Sequence, residues 1–313
     1  MLDTLRKFWA PTLKPVNKSR RRMLSQVPLS ALALTTCIPK SAHSDELKVS
    51  AAGPLEDGFI EFSNEVEKFK ALFRFERDLL DEGTALSSYH FLIYALPENE
   101  RPQPIVRYEG MEFSYFRRLD SQTWRIHAHN VSYPRDLITG KYISEVRNPF
   151  TGETLQVPPV KLLNDPGVLH SPKGYMPLDS KKSEWLSSYF SLRIEGDLIK
   201  CEHIRPIPDG WPKMFLESSC SSISRAEFNN PKITSLMYQT SGFYVFPFPQ
   251  WMQMGSRTGH MLGVWNGRKI KGPAGLPREF KDRLKRENPE LLAPRWGEFD
   301  KSPTSIIQKE IGI

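Results

Sequence analysis

Two imidazoles two residues apart, His127 and His129, are the densest concentration of proton-transfer chemistry in the chain. They lie in Trp124–Val131 (WRIHAHNV), where Trp124, Ile126 and Ala128 alternate with Arg125, His127, His129 and Val131. A period of two is strand spacing, so both rings project from one side of a sheet. Same-face imidazoles can exchange protons near neutral pH or clamp a divalent metal. A metal site needs a third ligand. His90, His203 and His260 are the candidates, and their spacing does not place them. The Glu that a cupin site would supply a few residues on is missing, so no metal and no cofactor is assigned. The plain alternative is a hydrogen-bonded or solvated histidine pair. Tyr133 and Asp136 follow closely. An imidazole titrating at about 6.5 and a phenol at about 10 can divide acceptor and donor roles. His127, His129 and Tyr133 are the candidate catalytic residues. The same composition also makes an ordinary strand end and turn.

A second cluster runs from Trp251 through Met252, Met254, Gly255, Arg257 and Gly259 to His260. Glycine permits close backbone approach, arginine can pin an anion, and histidine can move a proton. Trp251, Arg257 and His260 are the candidate ligand-binding residues. Against this, Trp and Met fill cores equally well, and Arg257 could simply pair with Asp165 or Glu153. Cys201 has no neighbouring pattern that would lower its pKa, so it is not read as a nucleophile. Cys201 and Cys220 fall on neighbouring expected strands, where an exported protein could bridge them; two free buried thiols are the alternative.

The elements that must position these residues are mostly strands. Residues Trp124–Asp165 read as three β segments joined by tight turns at Thr139-Gly140 and Thr151-Gly152. Ser88–Leu96 is a nearly continuous apolar run, and Ile105–Leu119 is a second long strand in which Gly110 suggests a bulge. Residues 168–188 read as a loop. Tyr189–Glu195 and Leu198–Arg205 flank Gly196-Asp197 as a hairpin, and Met214–Ile223 is a further strand. Ile233–Phe248 is rich in aromatic and β-branched residues. Asn266-Gly267 between His260–Trp265 and Arg268–Ile270 carries the strongest short hairpin signal. Helical spacing covers Phe62 to Phe73, passing into strand spacing at Phe73 and Phe75. The clearest helix lies between Pro277 and Pro289. Phe280 and Leu284 form its stripe, with Glu279–Arg283 and Asp282–Arg286 as i,i+4 pairs. About ten strands with few helices argue for a mainly β fold: a single antiparallel sheet, strongly curved or closed like a barrel. A two-sheet sandwich is the alternative.

The net charge of +7 is confined to the start of the chain. Residues 1–44 hold eight Lys/Arg and one acid, leaving 35 of each sign in the rest. The body is neutral, so a nucleic-acid partner is not expected. Arg20-Arg21-Arg22 before the apolar run Val27–Ile38, then Ala42-His43-Ser44, has the layout of an export signal of twin-arginine type. A run of about twelve residues is too short to span a bilayer as a helix, so no transmembrane segment is expected. A lipoprotein-like anchor at Cys37 and an Arg-rich mitochondrial presequence are the rivals. The expected organisation is a signal over 1–44 that engages the export machinery, a linker over 45–60 and one β-rich domain over 61–313. The expected location is periplasmic or secreted. No internal repeat, GxGxxG, P-loop or GxSxG motif occurs.

Asn148-Pro-Phe-Thr-Gly-Glu153, followed by Val157 and Asn164-Asp165-Pro166, resembles the signature of the domain-of-unknown-function family numbered 1838. Arg107-Tyr-Glu-Gly-Met111, Phe248–Gly255, Gly259-His260, Gly267, Leu276-Pro277 and Thr304-Ser305 resemble further steps of it. The chain departs from the pattern over 132–144, where Tyr133-Pro134-Arg135-Asp136 interrupts the expected strand, and at Gln250. The resemblance implies a β fold and agrees with export. It implies no reaction and no catalytic residues. The functional expectation is an exported β-rich protein that binds, and in an enzyme reading transforms by acid–base chemistry of isomerase, lyase or hydrolase type, a small apolar molecule. The alternative is a non-catalytic interaction or structural protein with a solid core.

Overall fold

The computed structural model describes residues 57–163, 167–178, 184–205 and 216–299. The expected leader and most of the linker lie outside these, as do Asn164-Asp165-Pro166 and Thr304-Ser305. The strands are β1 Gly58–Phe59, β2 Glu82–Pro97, β3 Gln103–Arg118, β4 Trp124–Arg135, β5 Glu145–Arg147, β6 Thr154–Gln156 and β7 Val160–Leu163. They continue with β8 Val168–Ser171, β9 Gly174–Pro177, β10 Tyr189–Glu195, β11 Leu198–Arg205, β12 Leu216–Ser224, β13 Gln239–Pro247 and β14 Gly259–Ile270. Three α-helices accompany them: α1 Glu65–Glu76, α2 Arg225–Phe228 and α3 Arg278–Glu287.

Twelve strands form one sheet in the order β1-β10-β11-β12-β13-β14-β2-β3-β4-β8-β9, with β7 also on β4; β5 and β6 make a separate pair. Every described ladder is antiparallel. One large sheet replaces the sandwich alternative. No described ladder joins β1 to β9, so barrel closure through hydrogen bonds is not seen.

Alternation sorts the side chains onto two faces. On one, Leu86 of β2, Met111, Phe113 and Tyr115 of β3 and Val131 and Tyr133 of β4 pack under Phe280 and Leu284 of α3. On the other, α1 packs through Phe69 and Phe73 on Phe116, Trp124 and Ile126. Its Ala71 and Phe75 reach Phe190, Leu192, Ile199 and Cys201. Asn64 caps the start of α1 by accepting from the Glu67 amide at 3.0 Å. The helix runs on through Phe75 to Glu76, so the expected change to strand at Phe73 does not occur. Both Phe73 and Phe75 are buried because α1 packs against strands on two sides.

Several local expectations are corrected. Gly110 is not a bulge, since it pairs in register with both Tyr89 and Ser132; the irregularity lies between Ile93 and Tyr94. Asn266-Gly267 is not a hairpin turn. β14 runs straight through it, with Asn266 opposite His90 and Gly267 opposite Tyr89, so pairing on both edges overrides the local turn preference. Residues 168–188 contain β8 and β9 rather than only loop. The α3 ion pairs are Arg278–Asp282 at 3.9 Å and Arg283–Glu287 at 2.8 Å, while Glu279 reaches Arg135 at 3.0 Å. Gly140 and Gly152 do sit in their turns with φ of 67° and 75°. Cys201 and Cys220 are free thiols. They lie opposite Ser221 and Glu202 respectively, so they project from opposite faces and cannot bridge.

Candidate functional site

A cavity of about 290 Å³ lies over the face of the sheet that carries α1. Its floor is set by odd-numbered positions of β2 (Ser87, Tyr89, Phe91 and Ile93) and by their cross-strand neighbours. Phe91 stacks on Tyr108 of β3 at 4.9 Å between centroids and 9° between planes, and meets Tyr244 of β13 edge-on at 5.9 Å. Glycines within strands let these rings lie across the sheet. A Cβ at Gly242 would come 2.7 Å from the Trp265 indole, and one at Gly263 would collide with the Tyr244 ring. Glycine in a strand interior can mark a close approach instead of a bulge, and here it does.

Part of the remaining wall is polar. Tyr89 donates its hydroxyl to Asn130 Oδ1. Burial, then the nearby Glu112 charge, pushes that phenol above its usual pKa, so it stays protonated and can donate. Arg77, just past the end of α1, pairs with Glu112 at 3.2 Å. Beside it, Glu76 is nearly enclosed and gathers three partners. His203 Nδ1 of β11 lies 3.3 Å from Oε1, Arg205 Nη2 lies 3.2 Å from Oε1, and His170 Nδ1 of β8 lies 3.6 Å from Oε2. Burial pushes the Glu76 carboxyl up, but the His203 hydrogen bond and the Arg205, His203 and His170 charges outweigh it and hold it well below the carboxylate range. Burial takes His170 down to about 4, with Glu76 opposing. Lys269 of β14 donates to the carbonyls of Arg74, Phe75 and Arg77, tying the end of α1 to the sheet. Burial, and then Arg77, lower its pKa to about 7.

The expected site residues do not all gather here. His127 and His129 share one face of β4, as their spacing requires, but it is the α3 face. Both are fully buried. His127 stacks on Tyr115 at 5.3 Å and 13° and meets Phe299 at 4.7 Å, while His129 meets Tyr115 edge-on at 5.3 Å. Neither lines the cavity. Tyr133, on the same face, accepts from Asn288 Nδ2 at 2.7 Å and lies under the Arg283 guanidinium at 4.2 Å. Asp136 is a turn residue, accepting from the Thr139 amide at 2.6 Å. Among the described residues no set of three His, Cys, Asp or Glu side chains is placed to hold a metal ion. Of the second cluster only Trp251 lines the cavity. Arg257 pairs with Glu100 at 2.6 Å and with the Phe150 carbonyl at 3.2 Å, rather than with Glu153. His260 is the second residue of β14, next to the cavity-lining Met261 and therefore on the other face.

Sequence reasoning missed Asn130 and Ser132, which alternate with the two histidines on β4 and line the cavity. It also missed Glu76, Arg77, Glu112 and Arg205, which only tertiary packing brings together. The usable signal was the set of interior glycines, Gly110, Gly242, Gly263 and Gly267, which lie among cavity-wall strands.

Residues 85–195 match the model of the family described as "Protein of unknown function (DUF1838)". The DUF1838 span runs from within β2 to the end of β10. It therefore includes Arg107–Met111 and Asn148–Glu153, which carry the resemblance; the motifs from Phe248 onward fall beyond it. It contributes Tyr89, Tyr108, Glu112, Asn130 and Ser132 to the cavity wall, whereas Arg205, Tyr244, Trp251 and Trp265 come from outside it. No curated protein matches the chain.

Proposed function

We propose that the protein binds a small, largely apolar, ring-bearing molecule in this cavity. The observation that carries the reading is the cavity itself: aromatic along β2, β13 and β14, and polar where α1 ends. Ligand sites are typically apolar hollows with a few convergent polar groups. The meeting of His170 and His203 on one carboxylate supports a sheet curved about α1. Their strands are seven places apart in the sheet order, which a flat sheet would hold roughly 30 Å apart. Such curvature would give the hollow its depth. The polar end, with the protonated Tyr89 phenol beside Asn130 and Glu112, could support acid–base conversion of the bound molecule. In the same reading the basic leader of residues 1–44 directs the protein out of the cytoplasm, to the periplasm or beyond. Among the described residues no helix is long and apolar enough to cross a membrane.

Titration with the neutral fluorescent probe N-phenyl-1-naphthylamine, alongside native mass spectrometry of the purified protein, tests the reading. Saturable binding at one site, or a co-purified small molecule, is expected. Absence of both would return the protein to the class of interaction proteins without a ligand.

A further inference from the structure

Three residues of the cavity wall carry a buried polar atom without a hydrogen-bond partner among the described residues: Arg77 Nε, Ser132 Oγ and Trp251 Nε1. Arg77 is held by its other nitrogens. Nη1 donates to the Glu76 carbonyl at 2.8 Å and Nη2 to Glu112 at 3.2 Å, which leaves the Nε–H. Ser132 is wholly buried, beside the Tyr89 phenol but without hydrogen-bond geometry to it. The Trp251 indole N–H can only donate. The acceptors on the wall are in the opposite condition. Glu76 is taken by His170, His203 and Arg205, Glu112 by Arg77, and Glu217 by Arg205 at 3.5 Å. The Asn130 carbonyl oxygen accepts from Tyr89. The wall therefore offers donors without a partner, while each of its carboxylates and the Asn130 carbonyl already has one. Three glutamates against two arginines also leave it slightly acidic, which works against an anionic guest.

We propose that the guest is a neutral ring compound bearing carbonyl-type oxygens, accepted from Ser132 and Arg77 at the polar end and from Trp251 among the aromatic residues. This rests on the cavity being a ligand site. An ammonium group would set its donors against the donor-only Arg77 Nε–H and Trp251 Nε1–H, and a carboxylate would meet the acidic excess. A pure hydrocarbon would leave buried donors unmade, which is unfavourable.

The test is displacement of N-phenyl-1-naphthylamine by four naphthalenes of matched size: 2-acetylnaphthalene, 2-isopropylnaphthalene, 2-naphthoate and 2-naphthylmethylammonium. The ketone is expected to compete at least about tenfold more strongly than the hydrocarbon, since one well-made hydrogen bond to a spare buried donor is worth about that factor. Ser132→Ala or Trp251→Phe should reduce the preference about threefold or more while the hydrocarbon still competes. If the probe is displaced equally by all four, or best by the carboxylate or the ammonium, the inference is overturned and the cavity reading stands. If the preference survives unchanged in both variants, the assignment of donors is overturned. If the probe shows no saturable binding at all, the cavity reading itself fails and the inference falls with it.

Discussion

On β4, His127, His129, Val131 and Tyr133 face α3, whereas Asn130 and Ser132 face the cavity. The first set is packed. His127 stacks on Tyr115 and meets Phe299 at a tilt, Tyr133 meets Phe280 at a tilt, and the Tyr133 hydroxyl is committed to Asn288. The second set is short and polar, and it lines the cavity together with Tyr244 and Trp265, whose rings lie close over interior glycines. Residues with strong intrinsic chemistry thus pack on the α3 face, and plainer residues one position away line the cavity. Side-chain reactivity is a poor guide to function until the face of the strand is known.

The two faces should respond differently to perturbation. Phe280→Ala on the α3 face removes a fully buried ring and is expected to cost about 3–5 kcal/mol in urea unfolding. The folded fraction should keep its probe affinity within about twofold. A parallel collapse of binding would show that the faces are not independent.

Acid should loosen the cavity side first. His170 is lowered from 6.5 to about 4 in the fold. The native state therefore disfavours its proton, and the associated stability is present above the unfolded pKa and lost as pH falls from about 6.5 to about 4. Glu76 is held well below its usual 4.5, so its contribution is present above 4.5 and is lost on further acidification. Together they should give up to about 3 kcal/mol of decline in stability across pH 6.5 to 4, steepening below. Unfolding free energy measured against pH would show it, and His170→Gln should flatten the upper part of the curve.

Lys269→Met removes the donors to the last carbonyls of α1 and should cost about 1–3 kcal/mol. Hydrogen exchange should show the loss concentrated at Arg74–Arg77, whereas a uniform rise in exchange would contradict the tether. The smallest effect is expected from His129→Gln. Probe binding should change by less than about twofold, because the ring faces α3. Abolished binding in a folded variant would move the site to the face that the spacing of the histidines first suggested.

Much of this was legible in the sequence, and the reasons for the rest are physical. The alternation at 124–131 gave the correct division of β4 into two faces, since side-chain direction is a local property of a strand. Which face would be hollow depends on Phe91, Tyr108, Tyr244 and Trp265, brought together by pairing between β14 and β2, which lie far apart in the chain. Asn266-Gly267 misled for the same reason: a local turn preference gave way to two edges of hydrogen bonding. The Glu76 cluster joins α1, β8 and β11 and has no trace in spacing. The helix at 278–287 was plain because its stripe and its flanking prolines are local.

If the hollow beside Tyr244 and Trp265 holds the ligand, Gly263→Val is the substitution that tests it most directly. The new side chain collides with the Tyr244 ring and drives it from its place across the sheet. If the account is right, the folded variant binds N-phenyl-1-naphthylamine at least about tenfold more weakly than the parent protein, with a modest stability loss of about 1–3 kcal/mol. Unchanged affinity in a folded Gly263→Val protein would contradict it.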